Sequence, residues 1–236
     1  MDKLELTNYS GIIFDLDGVI FNITNAIQQA VEDTVEKYQI DVDIEDVLQE
    51  VAHLIEELQH YPVPKIILKS YDLLKVEFLE GLSYFKKLRV GIYLFNQFNE
   101  YKEDATLYPE IDNIISSLAD DGIRLAVLTN NKNTHAEEVL EKYDLKKYFN
   151  LIIGFNEVSE VKPSPEGIQL ILKKWEIVPS KAIFIGDMVT DIQAGKSADV
   201  KIICMSSGLA SEEKIREYNP DLVLKNTREL KQVLGL

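Results

Sequence analysis

Short runs of apolar residues recur along the chain, and each is followed by polar or turn-forming residues. The runs fall at 11–14, 124–128, 151–153, 182–185, 201–204 and 222–224. Because apolar and polar residues do not alternate within them, they predict strands buried on both faces, which is typical of parallel sheets. From about residue 108 onward, helical patterns separate the runs. This alternation predicts an open parallel α/β sheet with right-handed crossovers.

Single residues mark where several of these helices begin or end. Residues 109–110 carry a Pro-Glu pair typical of a helix start, and Gly122 lies where a left-handed cap would end that helix. Thr134 and Glu137 have the spacing of a capping box. The Ser-Pro pair at 164–165 predicts an N-cap followed by proline at the first helical position.

The segment between the first strand and the rest of the sheet has a different pattern. Its apolar positions fall at helical spacing throughout, and it is too long for a simple connection. We therefore predict an inserted α-helical domain over residues 21–105, with the α/β core formed by residues 1–20 and 106–236. The Tyr-Pro-Val-Pro segment at 61–64 predicts a rigid loop within the insertion.

Composition and charge limit the partners of the chain. With 46% hydrophobic and 28% charged residues, it has the composition of a globular protein. Its 40 acidic and 25 basic residues give a formal net charge of −15, so we expect no nucleic acid and no membrane partner. Cys204 is the only cysteine, which is typical of a reducing compartment. We find no signal peptide pattern and expect a cytoplasmic protein, either a monomer or a homodimer.

Side chains that can take part in catalysis or metal binding follow three of the predicted strands. In open parallel sheets, ligands bind at the carboxyl ends of the strands, near the point where strand order reverses. Taken singly, each of these residues is explained as a helix cap or a turn former. The residues are Asp15, Asp17 and Gly18 after the first strand, Thr129 and Asn130 after the second, and Asp187 and Asp191 after the fourth.

The acids are more informative together, because several carboxylates at one sheet edge repel each other unless a cation lies between them. Oxygen-only ligands favour Mg²⁺ over zinc or copper. Asp187 and Asp191 are four residues apart, which predicts one helical turn between them at a helix start. With a cation present, an Asp side chain could act as a nucleophile and form an aspartyl-phosphate.

Two basic features are candidates for binding an anion. Lys162 precedes two prolines, at 163 and 165, that stiffen the chain on its C-terminal side, so it could reach the acidic edge rather than solvent. Arg89 belongs to a basic run at 86–89 in the insertion. Either this run is a solvated helix face, or Arg89 clamps the leaving group of a substrate when the insertion closes.

Four motifs follow one another along the chain: Phe14-Asp15-Leu16-Asp17-Gly18-Val19, Leu128-Thr129-Asn130, Lys162-Pro163 and Gly186-Asp187-Met188-Val189-Thr190-Asp191-Ile192. Their order and spacing resemble those of the haloacid dehalogenase-like hydrolase superfamily. The run Ala194-Gly195-Lys196 also follows the fourth motif in phosphoglycolate phosphatase-like members. The resemblance implies a Rossmann-like core with a helical cap of the first type inserted after the first motif.

The resemblance also implies a role for each motif residue. Asp15 would be the nucleophile, and Asp17 would protonate the leaving alcohol and then activate water. Thr129 and the amide of Asn130 would hold phosphoryl oxygens, Gly18 would lie against the substrate, and Lys162 would offset negative charge. The implied Mg²⁺ ligands are Asp15, Asp17 through its backbone carbonyl, Asp187, and Asp191 directly or through water.

These expectations make a Mg²⁺-dependent phosphatase acting on a small phosphorylated metabolite the first hypothesis, with a phosphoglycolate-like monoester as the first substrate. A phosphosugar mutase resembling β-phosphoglucomutase and a pyrophosphatase or nucleotidase stay open. A non-catalytic binding module is disfavoured because both aspartates of the first motif are present, and a dehalogenase is disfavoured because the resembling dehalogenases lack Asp17. The sequence departs from the pattern of the resembling phosphatases at two places. Asn22-Ile23 stands at the hinge into the cap, where Asp-Ser is frequent, and Asn131 stands where lysine is common.

Overall fold

The structure is a computed structural model, and it describes residues 4–44, 47–48, 50–51 and 79–236. The chain divides into two compact units. The first comprises Met1–Asn22 and Leu107–Leu236, and the second Ile23–Thr106. The boundaries expected from sequence, after residues 20 and 105, differ from these by two residues and one residue.

Six of the described strands form a parallel sheet in the first unit, in the order β5-β4-β1-β6-β7-β8, and β2 pairs with β3 in a separate two-stranded sheet. The sheet runs outward from β1 in both directions, which is the Rossmann strand order. The predicted α/β fold class is therefore confirmed. The strands are β1 Gly11–Phe14, β2 Phe21–Asn22, β3 Thr106–Leu107, β4 Arg124–Leu128, β5 Leu151–Ile153, β6 Ala182–Gly186, β7 Lys201–Met205 and β8 Leu222–Leu224.

Strand β1 lies at the centre of the sheet, because its side chains are apolar on both faces. Ile12, Ile13 and Phe14 have no exposed surface. Phe14 is aligned with Val127 of β4 on one side and with Ile185 of β6 on the other. The three strands therefore end at the same edge of the sheet. The strand order reverses between β1 and β6, so the residues that follow these strands lie at the topological switch point.

Helices connect the strands, and their apolar faces are buried. In α3 the four buried residues are Ile111, Ile114, Ile115 and Leu118, at the spacing of one helix face. The helices within the described residues are α1 Thr24–Tyr38, α2 Tyr84–Lys102, α3 Ile111–Asp120, α4 Asn133–Lys142, α5 Glu166–Trp175, α6 Val189–Ser197, α7 Glu212–Glu217 and α8 Thr227–Leu234.

The helix boundaries predicted from single residues are right in part. Gly122 has a φ of 78°, as expected for the left-handed position after α3. The capping box expected at Thr134 is wrong, since α4 begins at Asn133 and Lys132 is its N-cap. Near 164–165 the helix starts one residue later than expected: Pro165 is the N-cap, and the Ser164 hydroxyl accepts from the Glu166 amide at 3.3 Å.

The second unit is described mainly by helices α1 and α2. Val90, Leu94 and Phe98 form the buried face of α2, whereas Tyr84 and Phe85 are exposed. Much of the predicted helical insertion, including the loop at 61–64, lies outside the described residues. Within the part of the chain that the structure describes, no helix is long and apolar enough to cross a membrane.

Candidate active site

Three aspartates meet at the carboxyl edge of the sheet. Asp15 directly follows β1 and Asp187 directly follows the neighbouring strand β6, so strand pairing brings them together. Asp191 joins them from the first turn of α6. One carboxylate oxygen from each lies within 4.8 Å of the others. All three side chains are buried, so their negative charges are poorly screened by water.

Lys162 provides a positive charge within this cluster. Its ammonium group lies 2.8 Å from Oδ1 of Asp15 and 2.7 Å from Oδ1 of Asp191. Burial lowers the pKa of Lys162, but the charges and hydrogen bonds of the two aspartates outweigh burial and hold its pKa above the ordinary value. The lysine is therefore charged and bridges the first and fourth motifs. A solvated position for this residue, the alternative considered from sequence, is wrong.

The loop that leads to Lys162 is fixed by Glu166, the first residue of α5. Its carboxylate accepts from the backbone amides of Ser159 at 2.8 Å and of Glu160 at 2.9 Å. These backbone hydrogen bonds lower the pKa of Glu166. The carboxylate thus stabilises the turn that carries Lys162 into the site.

Asp191 caps the start of α6. Its Oδ2 accepts from the backbone amides of Asp187 and Met188, both at 3.0 Å, while Oδ1 accepts from Lys162. Two amides use the acceptor capacity of Oδ2, so Asp191 can reach a cation only through Oδ1. Asp187 itself precedes the helix, which begins at Val189, so the expectation of one helical turn between the two aspartates is wrong.

Two glycines allow the backbone to approach Asp187 closely. A Cβ at Gly18 would lie 2.0 Å from Oδ2 of Asp187, and a Cβ at Gly208 would lie 2.2 Å from the same atom. Gly18 also has a φ of 79°, which disfavours other residues, and its amide donates to the Phe21 carbonyl at 2.8 Å. The amide of Leu209 donates to Oδ2 of Asp187 at 2.7 Å. Asp187 is therefore enclosed by backbone on two sides.

The electrostatics of Asp15 are those of a buried acid among other acids. Burial raises its pKa to about 7, Lys162 opposes this shift, and Asp191 adds to it. A divalent cation in the cluster would favour the charged form of Asp15.

The second motif lies beside the first. Thr129 is buried, and its Oγ1 accepts from the amide of Asn131 at 3.1 Å. Asn130 is also buried, and its side chain lies 3.5 Å from the carbonyl oxygen of Lys162. Asn131 donates from Nδ2 to Oδ2 of Asp17 at 2.6 Å. The structure thus brings Thr129, Asn130, Asp17 and the Asp15–Lys162 pair to one edge of the sheet.

Two contributors to the site were not found from sequence. From sequence, Asn131 stands out only as an asparagine where lysine is common, although its position two residues after Thr129 could have suggested contact with the first motif. The loop containing Gly208 and Leu209 reaches Asp187 through its backbone, so no side chain marks its role. A glycine soon after a buried strand is the signal that could have located this loop.

Arg89, the remaining predicted substrate-binding residue, belongs to the second unit. Its side chain is exposed on α2, and its carbonyl oxygen accepts from the Tyr38 hydroxyl at 3.4 Å. Its neighbour Lys87 is buried. The basic run is therefore not uniformly solvated, and contact between Arg89 and a substrate stays a prediction.

The donor set fits Mg²⁺. Three buried carboxylates share the cluster with one ammonium group, which leaves an excess of negative charge for a cation to neutralise. The donors are oxygens without any sulfur or imidazole, as a hard divalent cation prefers. Asp15 and Asp187 could hold the ion directly, and Asp191 through Oδ1.

A parallel sheet with acids at its switch point defines an α/β enzyme, and comparison with known proteins identifies the family. The sequence model of the haloacid dehalogenase-like hydrolase family matches residues 12–205. The chain therefore belongs to this family of hydrolases, and the membership and hydrolase class predicted from the motifs are confirmed.

Similar proteins include several bacterial phosphatases. The phosphoglycolate phosphatase of Salmonella choleraesuis strain SC-B67 is 28% identical over an alignment 249 positions long, which covers 100% of this chain and 96% of the relative. That of Escherichia coli K12 is 26% identical over 243 residues, with the same shares. Both relatives therefore match this chain over nearly their whole length.

Solved structures with a similar fold match most of this chain. A predicted phosphoglycolate phosphatase from Haemophilus somnus has a TM-score of 0.70 at 20% identity, covering 96% of this chain and 98% of that one. A subfamily IA hydrolase of the haloacid dehalogenase superfamily from Geobacter sulfurreducens has a TM-score of 0.63 at 19% identity, covering 97% of each.

Proposed function

We propose that this hydrolase is a Mg²⁺-dependent phosphatase that cleaves a small phosphate monoester through an aspartyl-phosphate on Asp15. The observation that carries the proposal is the contact of Asp15 with Lys162 inside the buried aspartate cluster. An anionic nucleophile can approach an anionic phosphate only where positive charge offsets both. Phosphoglycolate is the first substrate to test, because the similar curated proteins are phosphoglycolate phosphatases.

In the first step, a carboxylate oxygen of Asp15 attacks phosphorus. The ester P–O bond breaks and its electron pair leaves on the alcohol oxygen, which takes a proton from Asp17. Lys162 offsets the negative charge shared between Asp15 and the phosphoryl group. Thr129 would donate its hydroxyl proton to a phosphoryl oxygen, since its Oγ1 already accepts from the Asn131 amide.

In the second step, Asp17 takes a proton from a water molecule, and the water oxygen attacks phosphorus. The bond between phosphorus and the Asp15 oxygen breaks, which releases inorganic phosphate and restores the Asp15 carboxylate. Asp17 then carries the proton needed for the next cycle, so the same residue acts as acid and then as base. Asp15 and Asp17 thus have different tasks within one loop.

A bound Mg²⁺ would supply charge neutralisation of the phosphoryl oxygens and of the acids around them. In our proposal Asp15, the backbone carbonyl of Asp17, and Asp187 hold it, while Asp191 supports it through Oδ1. The amide of Asn130 and the backbone at Gly18 lie against the substrate, and Arg89 binds its leaving group.

The other functions named from sequence stay as alternatives. A phosphosugar mutase would use the same two aspartates, and a pyrophosphatase or nucleotidase would differ in the leaving group. A binding module without turnover would not need a nucleophile and an acid side by side. Location in the cytoplasm, and a monomeric or homodimeric state, stay predictions.

The decisive experiment measures phosphate release from a panel of phosphorylated metabolites, with Mg²⁺ and with EDTA. The panel contains phosphoglycolate, hexose phosphates, nucleoside monophosphates and pyrophosphate. We expect Mg²⁺-dependent release from a monoester, and we expect Asp15→Asn to abolish it. Asp120→Asn, a substitution of an exposed aspartate at the end of α3, is the matched control and should keep full activity.

Each alternative has its own outcome. Isomerisation of a sugar phosphate without net phosphate release supports the mutase. Release from pyrophosphate or nucleotides alone supports the pyrophosphatase or nucleotidase. Full activity in Asp15→Asn, or no release from any compound with Mg²⁺ present, contradicts the proposed function.

A further inference from the structure

Asn131 makes a short hydrogen bond to Asp17, although the two residues follow different strands and are separated by 114 positions in sequence. Nδ2 of Asn131 lies 2.6 Å from Oδ2 of Asp17. The contact therefore has the geometry to fix how the Asp17 carboxylate is oriented.

The backbone of Asn131 is itself held from both sides. Its amide donates to Oγ1 of Thr129 at 3.1 Å, and its carbonyl oxygen accepts from the Phe155 amide at 2.9 Å. Gly154 packs so closely that a Cβ there would lie 2.6 Å from the Asn131 carbonyl oxygen. The side-chain amide thus projects from a backbone that cannot easily shift.

Asp17 is restrained on its other side by its own loop. Its backbone forms a bridge with Phe21, and the Gly18 amide donates to the Phe21 carbonyl at 2.8 Å. The backbone of Asp17 is therefore fixed by this turn, and Asn131 holds one oxygen of its carboxylate, Oδ2. A side chain held to within about 0.5 Å is what acid catalysis requires of its proton donor.

We propose that Asn131 is a positioning residue for Asp17, and this inference rests on the proposed function. An amide N–H can only donate, so Oδ2 of Asp17 acts as the acceptor and a proton on Asp17 resides on Oδ1. When the ester P–O bond breaks, that proton passes from Oδ1 to the leaving oxygen, which departs as an alcohol. Asn131 itself neither gains nor loses a proton.

The role has a kinetic signature, because only poor leaving groups need the proton. An alkyl phosphate must be protonated as it departs, whereas p-nitrophenyl phosphate releases a stable phenolate without one. The ratio kcat/KM reports on steps up to the first irreversible one, which here is transfer of the phosphoryl group to Asp15. Water activation in the second step does not affect this ratio.

The experiment compares kcat/KM for the best alkyl monoester and for p-nitrophenyl phosphate. Asn131→Leu removes the donor but keeps the branching and the number of side-chain heavy atoms, and Asn131→Gln keeps an amide. We expect Asn131→Leu to lose about a hundredfold with the alkyl ester and less than about threefold with the aryl ester. Asn131→Gln should recover part of the loss. Asn113→Leu, at an exposed asparagine of α3, is the matched control.

Circular dichroism and the melting temperature check that each variant folds, and Asn131→Ala replaces the leucine variant if that one does not. Equal losses with both esters, or no loss with either, overturn the inference while leaving the proposed function standing. A wild-type chain that releases phosphate from neither ester overturns the proposed function, and the inference with it.

Discussion

Lys162 lies 2.8 Å from the nucleophile candidate Asp15, and both side chains are less than a tenth exposed. The pair belongs to a cluster in which carboxylates outnumber ammonium groups, so a substitution there changes stability according to the charge it removes. Removal of the Lys162 charge and removal of one carboxylate should therefore have opposite effects on the stability of the metal-free protein.

Lys162→Met removes the cation. We expect kcat/KM to fall by about 10²-fold to 10³-fold, because the charge of the reacting groups is no longer offset. The metal-free protein should lose about 3 kcal/mol of its free energy of unfolding, since two buried carboxylates lose their partner. Phosphate release and urea unfolding measure these effects. Lys174→Met, at an exposed lysine of α5, should change neither.

Asp187→Asn removes an acid but keeps an oxygen that can accept from the Leu209 amide. In EDTA we expect the free energy of unfolding to rise, by on the order of 1 kcal/mol, because repulsion within the cluster is relieved. Mg²⁺ should raise the melting temperature of the wild type but not of the variant. A lower melting temperature of Asp187→Asn in EDTA would show that the acids do not repel each other in the folded protein.

Gly208→Ala should displace Asp187, since the added Cβ would lie 2.2 Å from its Oδ2. We expect Mg²⁺ to bind at least about tenfold more weakly, corresponding to about 1.4 kcal/mol. Isothermal titration of the substrate-free protein with MgCl₂ measures this affinity.

The control for Gly208→Ala is Gly122→Ala, which has a φ of 78° and open space around the new Cβ. Left-handed strain should lower its melting temperature through a loss of about 1 kcal/mol, without changing Mg²⁺ affinity. Equal affinities in the two variants would contradict the role assigned to the loop around Gly208.

Glu166→Gln tests the pH dependence of the turn that carries Lys162. Two backbone hydrogen bonds lower the pKa of Glu166, so the folded state releases this proton more readily than the unfolded state. The carboxylate therefore stabilises the protein above its unfolded pKa, and the stabilisation is lost as the pH falls through its lowered folded pKa.

We expect Glu166→Gln to melt at a lower temperature than the wild type at neutral pH, with the difference shrinking between about pH 5 and about pH 3. Glu138→Gln, at an exposed glutamate of α4, should show no such difference. A difference in melting temperature that stays constant with pH would rule out a contribution from the Glu166 charge.

Much of the fold follows from local sequence. Each strand of the main sheet is a short apolar run, such as Gly11–Phe14, and burial on both faces requires such a run whatever the rest of the chain does. Gly122 predicts the end of α3 because its left-handed φ depends on its own lack of a Cβ. The capping box predicted at Thr134 is wrong because the same spacing of Thr and Glu also occurs inside helices. Tertiary contacts then determine the first residue of the helix.

The motif residues could be found from sequence because their chemistry is unusual at strand ends. The contacts that each of them makes could not be found from sequence. Asn131 and Asp17 are 114 residues apart, and Leu209 and Asp187 meet through a backbone amide, which any residue but proline can supply. Such contacts leave no pattern of residue types along the chain.

The sequence by itself determined the strands, the family motifs and the choice of Asp15, Asp17, Lys162 and Asp187 as candidates, because these depend on local hydrophobicity and on residue chemistry. The tertiary structure decided which of them touch. In the folded protein Lys162 contacts Asp15, Asp191 caps helix α6, and Asn131 donates a hydrogen bond to Asp17. The physical reason is that strand order and loop packing set distances of a few ångströms, on which electrostatic and hydrogen-bond energies depend.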